Sequence, residues 1–337
     1  MNIRFSALGG VLLGLAGCAP ESPMLPTAPA PTARAPIPVV LDTDIGSDVD
    51  DTWALLHLLR SPELDLQMVL VGTANTTYRG RLAAKFLEVA GRSDVPIGLG
   101  PTGGSSHEYQ LPWVGDYTLR DYPGPVYEDG VDAFIELVHA SPEPITLIAI
   151  GPLPNIAEAL RRDPTIAPKV HFVGMHGSID EGYGAGSDPV PETNVRVNVE
   201  AFRAVHAADW ASFRITPLDT CGHVVLEGEP YQELRRSRDP AVQALLENYR
   251  VWAELVTWTE VDYFEEKSST LFDCVAVYMA YDGSLLEYET IPLSVTDEGM
   301  TVRDPEKGLP TRAAMRWRDL EAFDAHLSRR LRGVATE

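Results

Sequence analysis

The chain has 337 residues, of which 49 are acidic and 27 are basic, so its formal net charge is -22. A surface this negative repels nucleic acid and anionic lipid, and we therefore expect no nucleic-acid partner. The chain has three cysteines, without a CxxC pair or a Cys/His ligand spacing, which argues against a zinc site. Pairing of Cys221 with Cys274 stays open.

The first residues predict a secretory segment at 1–17. Its apolar run, Phe5 to Gly17, is shorter than the roughly 20 residues that a membrane-spanning helix needs. The run ends in Leu15-Ala16-Gly17-Cys18, which resembles a bacterial lipobox and implies lipid attachment at Cys18 in the cell envelope, with the domain in the periplasm or outside the cell. An ordinary signal peptide is the alternative. Residues 18–36 are rich in proline and alanine and predict a tether, followed by one domain at 37–333.

Within this domain, short apolar runs alternate with amphipathic stretches. The predicted strands are 39–41, 66–71, 96–99, 145–150, 170–173 and 213–216, and the predicted helices are 53–60, 81–90, 131–140, 155–161 (capped by Asn155) and 199–207. Residues 240–281 are expected to be mostly helical, with one or two hairpins at 291–317 and a last helix at 320–332. The alternation predicts the α/β class: an open, mostly parallel sheet flanked by helices, with a mostly helical C-terminal segment.

The most informative segment follows the first strand. Residues 42–51, called the acidic loop below, contain five carboxylates: Asp42, Asp44, Asp48, Asp50 and Asp51. Such a cluster repels itself unless a cation neutralises it, and oxygen ligands suit calcium or magnesium. Aspartates at a helix N-terminus are the alternative, which accounts for Asp50 or Asp51 but not for Asp42 and Asp44 at the strand end. We therefore expect a metal site.

Two families fit this loop poorly or only in part. An EF-hand requires Gly and Glu at the sixth and twelfth positions from Asp42, where this chain has Ser47 and Trp53. A haloacid-dehalogenase phosphatase also begins with a strand and Asp-x-Asp, and would use Asp42 as nucleophile. However, Gly46 stands where Thr or Val is usual. The phosphatase stays an alternative for the loop alone.

The segment from Leu41 through Asp51 resembles the N-terminal signature of inosine-uridine-preferring nucleoside hydrolases, Asp-x-Asp-Pro-Gly-x-Asp-Asp-Ala. Here Ile45 replaces the proline, and two additional residues precede Asp50. Further resemblances follow in the family's order: Val71-Gly72-Thr73-Ala74-Asn75, Ile150-Gly151-Pro152-Leu153-Pro154-Asn155, Glu192-Thr193-Asn194 and Phe272-Asp273. The resemblance implies a Rossmann-like core, hydrolysis of a nucleoside or related N-riboside, and a homo-oligomer.

The resemblance also implies a Ca²⁺ site. Its ligands are expected to be the carboxylates of Asp44, Asp51 and Asp273 and the backbone carbonyl of Ile150, with Asp44 as the base that takes a proton from the attacking water. The expected substrate contacts are Asp50, Asn75 and Asn194 at the sugar, Glu192 at its 5′ end, and Phe272 near the leaving base. Asn75 at a turn and Asp273 at a helix start have ordinary structural explanations as well.

Departures from the family pattern affect the leaving group. Phe272 replaces a His that protonates purines in some relatives, and Gly186 replaces an Asn. The residue that protonates the departing base is therefore open, and a ribose-binding lipoprotein without catalysis stays an alternative.

Overall fold

The computed structural model describes residues 35–184 and 186–334. The predicted secretory segment, Cys18 and almost all of the predicted tether lie outside the described residues. Residues from Pro36 onward form one compact unit. Within the described ranges, ten strands form a single sheet: β1 (Ile37–Thr43), β2 (Leu64–Val71), β3 (Ile97–Leu99), β4 (Val126–Tyr127), β5 (Ile145–Ala149), β6 (Val170–Met175), β7 (Ser212–Thr216), β8 (Leu286–Val295), β9 (Thr301–Arg303) and β10 (Leu309–Trp317).

The order of strands places a ligand crevice beside β1. The order is β4-β3-β2-β1-β5-β6-β7-β10-β8-β9. Strands β1 to β7 are parallel, β10 joins β7 in parallel, and β8 and β9 add antiparallel pairs at that edge. From β1 the chain builds β2, β3 and β4 on one side and then returns to build β5 on the other. Ligands of open α/β sheets bind outside the carboxyl ends of the strands at such a switch point.

Helices connect and cover these strands. They are α1 (Asp50–Leu59), α2 (Thr76–Val89), α3 (Leu111–Val114), α4 (Gly130–Ala140), α5 (Pro154–Arg162), α6 (Thr193–Val197), α7 (Val199–His206), α8 (Leu218–Cys221), α9 (Gly228–Arg235), α10 (Pro240–Leu255), α11 (Phe272–Tyr281) and α12 (Leu320–Leu331). Local signals set several of their starts. The Asp239 carboxylate accepts hydrogen bonds from the first backbone N–H groups of α10, and Asp319 caps α12 in the same way.

Two apolar cores lie on opposite faces of the sheet, because successive side chains of a strand point in opposite directions. In β1, Val39 and Leu41 belong to one core and Val40 to the other. Helices α1, α2, α10 and α11 contribute to the first core, and α4, α5 and α7 to the second. Full burial of a side chain such as Phe134 stabilises the fold by about 1.5–3 kcal/mol.

The predicted fold class is confirmed, and the differences are local. The segment 256–271 separates α10 from α11 and is not helical, although it lies in the region expected to be mostly helical. Helix α2 begins at Thr76 rather than at 81, because the Asn75 side chain accepts a hydrogen bond from the Tyr78 N–H. Asn155 does not cap α5, and that prediction is wrong. The cap position is Leu153, and Pro154 opens the helix with a preset φ.

No helix within the described ranges combines the length and apolar character that crossing a bilayer requires.

Candidate active site and metal centre

The acidic loop leaves β1 at the switch point. Asp42 is buried near the end of β1 and pairs in register with Leu70 of β2 and Ala149 of β5. The loop then turns at Gly46, whose φ is 113°. A Cβ at this position would lie 2.6 Å from Cε1 of Tyr78, so both the backbone conformation and the close contact require glycine.

Three carboxylates converge beyond this turn. Asp50 and Asp51 lie in the first turn of α1, and Asp273 lies in the first turn of α11. One carboxylate oxygen of each lies within 4.8 Å of the others. The Asp273 N–H donates to Oδ2 of Asp50 over 3.3 Å, which joins the two helix starts directly. The N-termini of the two helices present partial positive charge to the carboxylates, but this charge is much smaller than the negative charge of three carboxylates.

The electrostatics of the site favour a cation. We call the following six residues the acidic cluster: Asp42, Asp44, Asp48, Asp50, Asp51 and Asp273. Burial, and then repulsion from neighbouring carboxylates, raises the pKa values of Asp50, Asp51 and Asp273 well above the ordinary value. Among the described residues, only one basic side chain forms an ion pair with the acidic cluster. Its Nη2 atom, in Arg79, lies 3.7 Å from Oδ2 of Asp44. Buried anions that repel one another either bind protons or bind a metal, and an all-oxygen set fits calcium or magnesium.

Asp44 and Ile150 lie at neighbouring strand ends. The Asp44 side chain is 18% exposed. A Cβ on Gly151 would lie 3.0 Å from its Oδ1 atom, which shows how closely the loops after β1 and β5 approach. The carbonyl oxygen of Ile150 accepts a hydrogen bond of 3.1 Å from Nδ2 of Asn194. Asp44 is not one of the three converging carboxylates, so its role as a ligand, like that of the Ile150 carbonyl, stays a prediction.

Glu192 and Asn194 are part of a buried hydrogen-bond network. Glu192 caps α6: its Oε1 accepts from the Asn194 N–H at 2.7 Å, and its Oε2 accepts from the N–H groups of Val195 and Gly177 at 3.1 Å. Burial raises the pKa of Glu192 to about 7. The network joins the segment after β6 to α6. The predicted contacts of Glu192 and Asn194 with substrate stay predictions.

The remaining substrate candidates lie at the periphery. Asn75 is exposed, and its amide caps α2 while donating to Oε1 of Glu108 over 2.8 Å. Its amide is thus engaged within the protein, and its sugar contact stays a prediction. Phe272 is partly buried at the start of α11, next to Asp273, and meets Tyr183 edge to face with ring centroids 5.8 Å apart.

Two buried side chains, Asn155 and Arg79, make contacts at the site that the sequence did not predict. Asn155 donates through Nδ2 to Oδ1 of Asp42 over 2.7 Å. Arg79 contacts the acidic loop itself. A single arginine or asparagine within a helix carries no local pattern that marks such a contact, so no sequence signal was available.

An open, mostly parallel sheet with a buried carboxylate group at its switch point is typical of α/β proteins whose ligand site lies at the carboxyl ends of the strands. The family model described as inosine-uridine preferring nucleoside hydrolase matches residues 39–327, and the chain belongs to this family. The predicted family and the predicted reaction, N-glycosidic bond hydrolysis by a nucleosidase-type enzyme, are thereby confirmed. The haloacid-dehalogenase alternative is wrong, since that family does not account for the match beyond the acidic loop.

Relatives and solved structures agree with this assignment. A probable uridine nucleosidase 2 of Arabidopsis thaliana is 26% identical over 276 residues, which cover 78% of this chain and 83% of the relative. A non-specific ribonucleoside hydrolase of Salmonella paratyphi B is 32% identical over 50% of this chain and 56% of its own. A plant nucleoside hydrolase structure has a TM-score of 0.72 at 24% identity, covering 88% of this chain and 99% of that one. A Bacillus anthracis nucleoside hydrolase has a TM-score of 0.70 at 18% identity, covering 88% and 100%. At these identities the structures show the shared fold.

The raised pKa values predict how stability depends on pH when no metal is bound. A carboxyl whose folded pKa exceeds its unfolded pKa binds a proton more tightly in the folded protein. Its stabilising contribution is complete below the unfolded pKa and is lost as the pH rises through the folded pKa. For Asp42 and Asp48, whose pKa values burial raises to about 7, this loss is centred near neutral pH, and the pKa values of Asp50, Asp51 and Asp273 are raised as well. The metal-free protein is therefore expected to lose stability between about pH 6.5 and 8.

Buried histidines set the lower limit of this window. Burial lowers the pKa of His57 to about 3 and that of His176 to about 4. Below about pH 6.5 these two histidines therefore lower the stability as the pH falls, which opposes the effect of the carboxyls on stability. Thermal unfolding from pH 6.5 to 8 with a chelator is expected to show a falling midpoint. A divalent cation that binds the ionised carboxylates is expected to remove the fall. A midpoint that rises with pH in the chelator would contradict the buried acidic cluster.

Proposed function

We propose that the chain hydrolyses the N-glycosidic bond of a ribonucleoside with a calcium ion at the acidic cluster. The observation that carries the proposal is the convergence of Asp50, Asp51 and Asp273 within 4.8 Å in a buried site. Asp51 and Asp273 belong both to this group and to the ligand set implied by the family signature. Asp44 and the Ile150 carbonyl complete the proposed set, and Asp50 remains for a ribose hydroxyl.

The chain's own groups perform the remaining chemistry. A calcium ion held by these residues would supply a Lewis acid that lowers the pKa of a water molecule. The Asp44 carboxylate accepts a proton from the attacking water while the oxygen of that water forms a bond to the anomeric carbon. The carbon–nitrogen bond breaks, and the base leaves with the electron pair and takes a proton from solvent, while Asp44 releases its proton to solvent. The surrounding carboxylates stabilise the positive charge that develops on the sugar.

The proposed substrate is a pyrimidine ribonucleoside, and other N-ribosides serve as comparison substrates in the assay. Relatives named as uridine nucleosidases, and a pyrimidine-specific ribonucleoside hydrolase of Photobacterium profundum at 28% identity, support this choice. So does Phe272, because its ring cannot protonate a purine. Reducing sugar released from uridine, inosine and a p-nitrophenyl riboside, with calcium or with a chelator, tests the proposal. Binding of these compounds without turnover would favour the non-catalytic ribose-binding alternative.

Replacing Phe272 with alanine is expected to change substrate choice more than metal affinity. The ring lies beside Asp273 but contributes no oxygen ligand, and it packs against the exposed ring of Tyr183. Loss of an aromatic surface for the base is worth about 1–3 kcal/mol, or roughly 10–100-fold in kcat/KM for the substrates that stack on it. The measurement is kcat/KM for uridine and inosine together with the calcium dissociation constant. A large loss of calcium binding with unchanged substrate preference would contradict this role.

We also propose that the enzyme is a lipoprotein of the bacterial cell envelope, attached through Cys18. The lipobox-like sequence and the proline-rich stretch that follows it support this location. Partition of the full-length protein into detergent, compared with a Cys18→Ser variant, tests the attachment. A homo-oligomer, implied by the family resemblance, is tested by the mass of the purified protein in solution.

A further inference from the structure

Arg79 is a buried arginine on α2 that joins three separate segments. Its side chain is 1% exposed. Nε donates to the Thr73 carbonyl at 2.7 Å and Nη1 to the Ile45 carbonyl at 2.9 Å, while Nη2 donates to the hydroxyls of Ser47 and Ser106 at 2.9 Å each. One guanidinium thus holds the acidic loop, the turn after β2 and the segment before α3. Its planar fork of donors is suited to several simultaneous contacts.

The segments that Arg79 contacts need external support. Thr73 and Ala74 have φ values of 70° and 55°, in the left-handed region that costs a non-glycine residue about 1–2 kcal/mol. The acidic loop lacks the usual proline, since Ile45 stands there, and it is two residues longer than the family signature. The contacts of Arg79 therefore fall where the backbone is strained and where the loop departs from the family pattern.

Arg79 also lies beside the anions of the site. Its Nη2 atom is 3.7 Å from Oδ2 of Asp44, a long ion pair compared with the hydrogen bonds to backbone and hydroxyl oxygens. In the part of the chain that the structure describes, no other basic side chain lies within 4 Å of a carboxylate of the acidic cluster. The shorter contacts go to the loop framework, whereas the carboxylate contact is the longest.

We propose that Arg79 is a positioning residue that holds the acidic loop in the shape that receives the metal ion. This inference rests on the proposed calcium site. A simple counterion role makes the opposite prediction. A cation beside the site repels an incoming dication, so removing a counterion would tighten calcium binding. Removing a brace loosens the loop that carries Asp44 and Asp51, and this weakens calcium binding.

Two substitutions of Arg79 separate charge from geometry. Arg79→Met removes both, and Arg79→Lys keeps the charge but loses the planar fork. We expect both variants to bind calcium about 10–100-fold more weakly than the wild type by isothermal titration calorimetry, the range found when a group that supports a metal ligand is removed. We expect lysine not to restore affinity, because an ammonium group cannot reach the Thr73 and Ile45 carbonyls and both hydroxyls at once. Saturating calcium is expected to recover most of the hydrolytic activity of both variants.

Arg81 provides a matched control on the same helix. Its Nε donates to the Tyr117 carbonyl at 2.6 Å and its Nη2 to the Gly115 carbonyl at 2.7 Å, so it also braces a loop, but it makes no contact with the acidic cluster. Arg81→Met is expected to keep wild-type calcium affinity even if its thermal midpoint falls. Equal weakening in both methionine variants would show a general loss of stability and would overturn the inference.

A milder variant covers the case in which Arg79→Met does not fold. Ser47→Ala combined with Ser106→Ala removes both partners of Nη2 and leaves the charge in place. A few-fold weaker calcium affinity is expected. Unchanged or tighter binding in the serine and lysine variants would overturn the positioning role while leaving the calcium site intact. If the wild type itself binds no calcium, the proposed metal fails, and this inference fails with it.

Discussion

Replacing Asp51 with alanine is expected to abolish calcium binding and nucleoside hydrolysis together. Its side chain is buried in the first turn of α1, where it accepts a hydrogen bond from the Thr43 hydroxyl and lies within reach of Asp273. Alanine supplies no oxygen in place of the lost carboxylate. The loss of calcium affinity should exceed the roughly 10–100-fold range typical of supporting residues. Calorimetry with calcium and a reducing-sugar assay on uridine measure the two effects.

A control and a second variant make this prediction specific. Asp239→Ala removes a helix cap of α10 far along the chain, so it should cost about 1 kcal/mol of stability and leave calcium affinity unchanged. Asp51→Asn keeps the shape of the side chain but removes a repelled charge. In a chelator at pH 8 it is expected to unfold at a higher temperature than the wild type. Full hydrolytic activity in Asp51→Ala would refute the metal assignment.

Replacing Asp44 with asparagine is expected to lower kcat by about 10²–10⁴-fold, even at saturating calcium. The amide keeps the size of the side chain but cannot take a proton from water. Burial raises the pKa of Asp44, and the Arg79 guanidinium counteracts part of this rise. The measurement is kcat for the best substrate over a range of calcium concentrations.

Asp48 is the matched control for Asp44, because it lies in the same loop and its carboxylate accepts a hydrogen bond from the Val49 N–H, which an asparagine oxygen would also accept. Asp48→Asn is expected to lower kcat by less than about tenfold, well below the effect of losing a general base. Similar losses in the two variants would mean that the loop needs its total charge rather than a base at Asp44.

The calcium proposal gives the pH dependence of stability a functional meaning. Burying mutually repelling carboxylates destabilises the metal-free fold above neutral pH, and the bound ion offsets this cost. The same arrangement explains why the site tolerates one long contact with Arg79. A stronger permanent ion pair at Asp44 would compete with the metal for that carboxylate. Under this proposal, the metal-free enzyme is less stable, and the same carboxylates give it affinity for the metal ion. Such a compromise is common at functional sites.

Local patterns in the sequence determined much of this protein. Most strands of the parallel sheet are short apolar runs that need burial, and amphipathic helices follow them, so the alternation predicts the α/β class. The acidic loop was equally visible, because its carboxylates are adjacent in the chain. The family signature then extended the prediction to Asp273, which no local pattern links to Asp51.

Only the tertiary structure decided which groups meet. The strand order brings the starts of α1 and α11 together. Packing directs the Asn155 side chain to Asp42, although the sequence position of Asn155 suggested a helix cap. Arg79 reaches three segments at once. These contacts join residues far apart in sequence, so their free energy depends on the whole packed arrangement. Neighbouring residues determine helix and strand formation, whereas convergence at a site depends on how those elements are stacked.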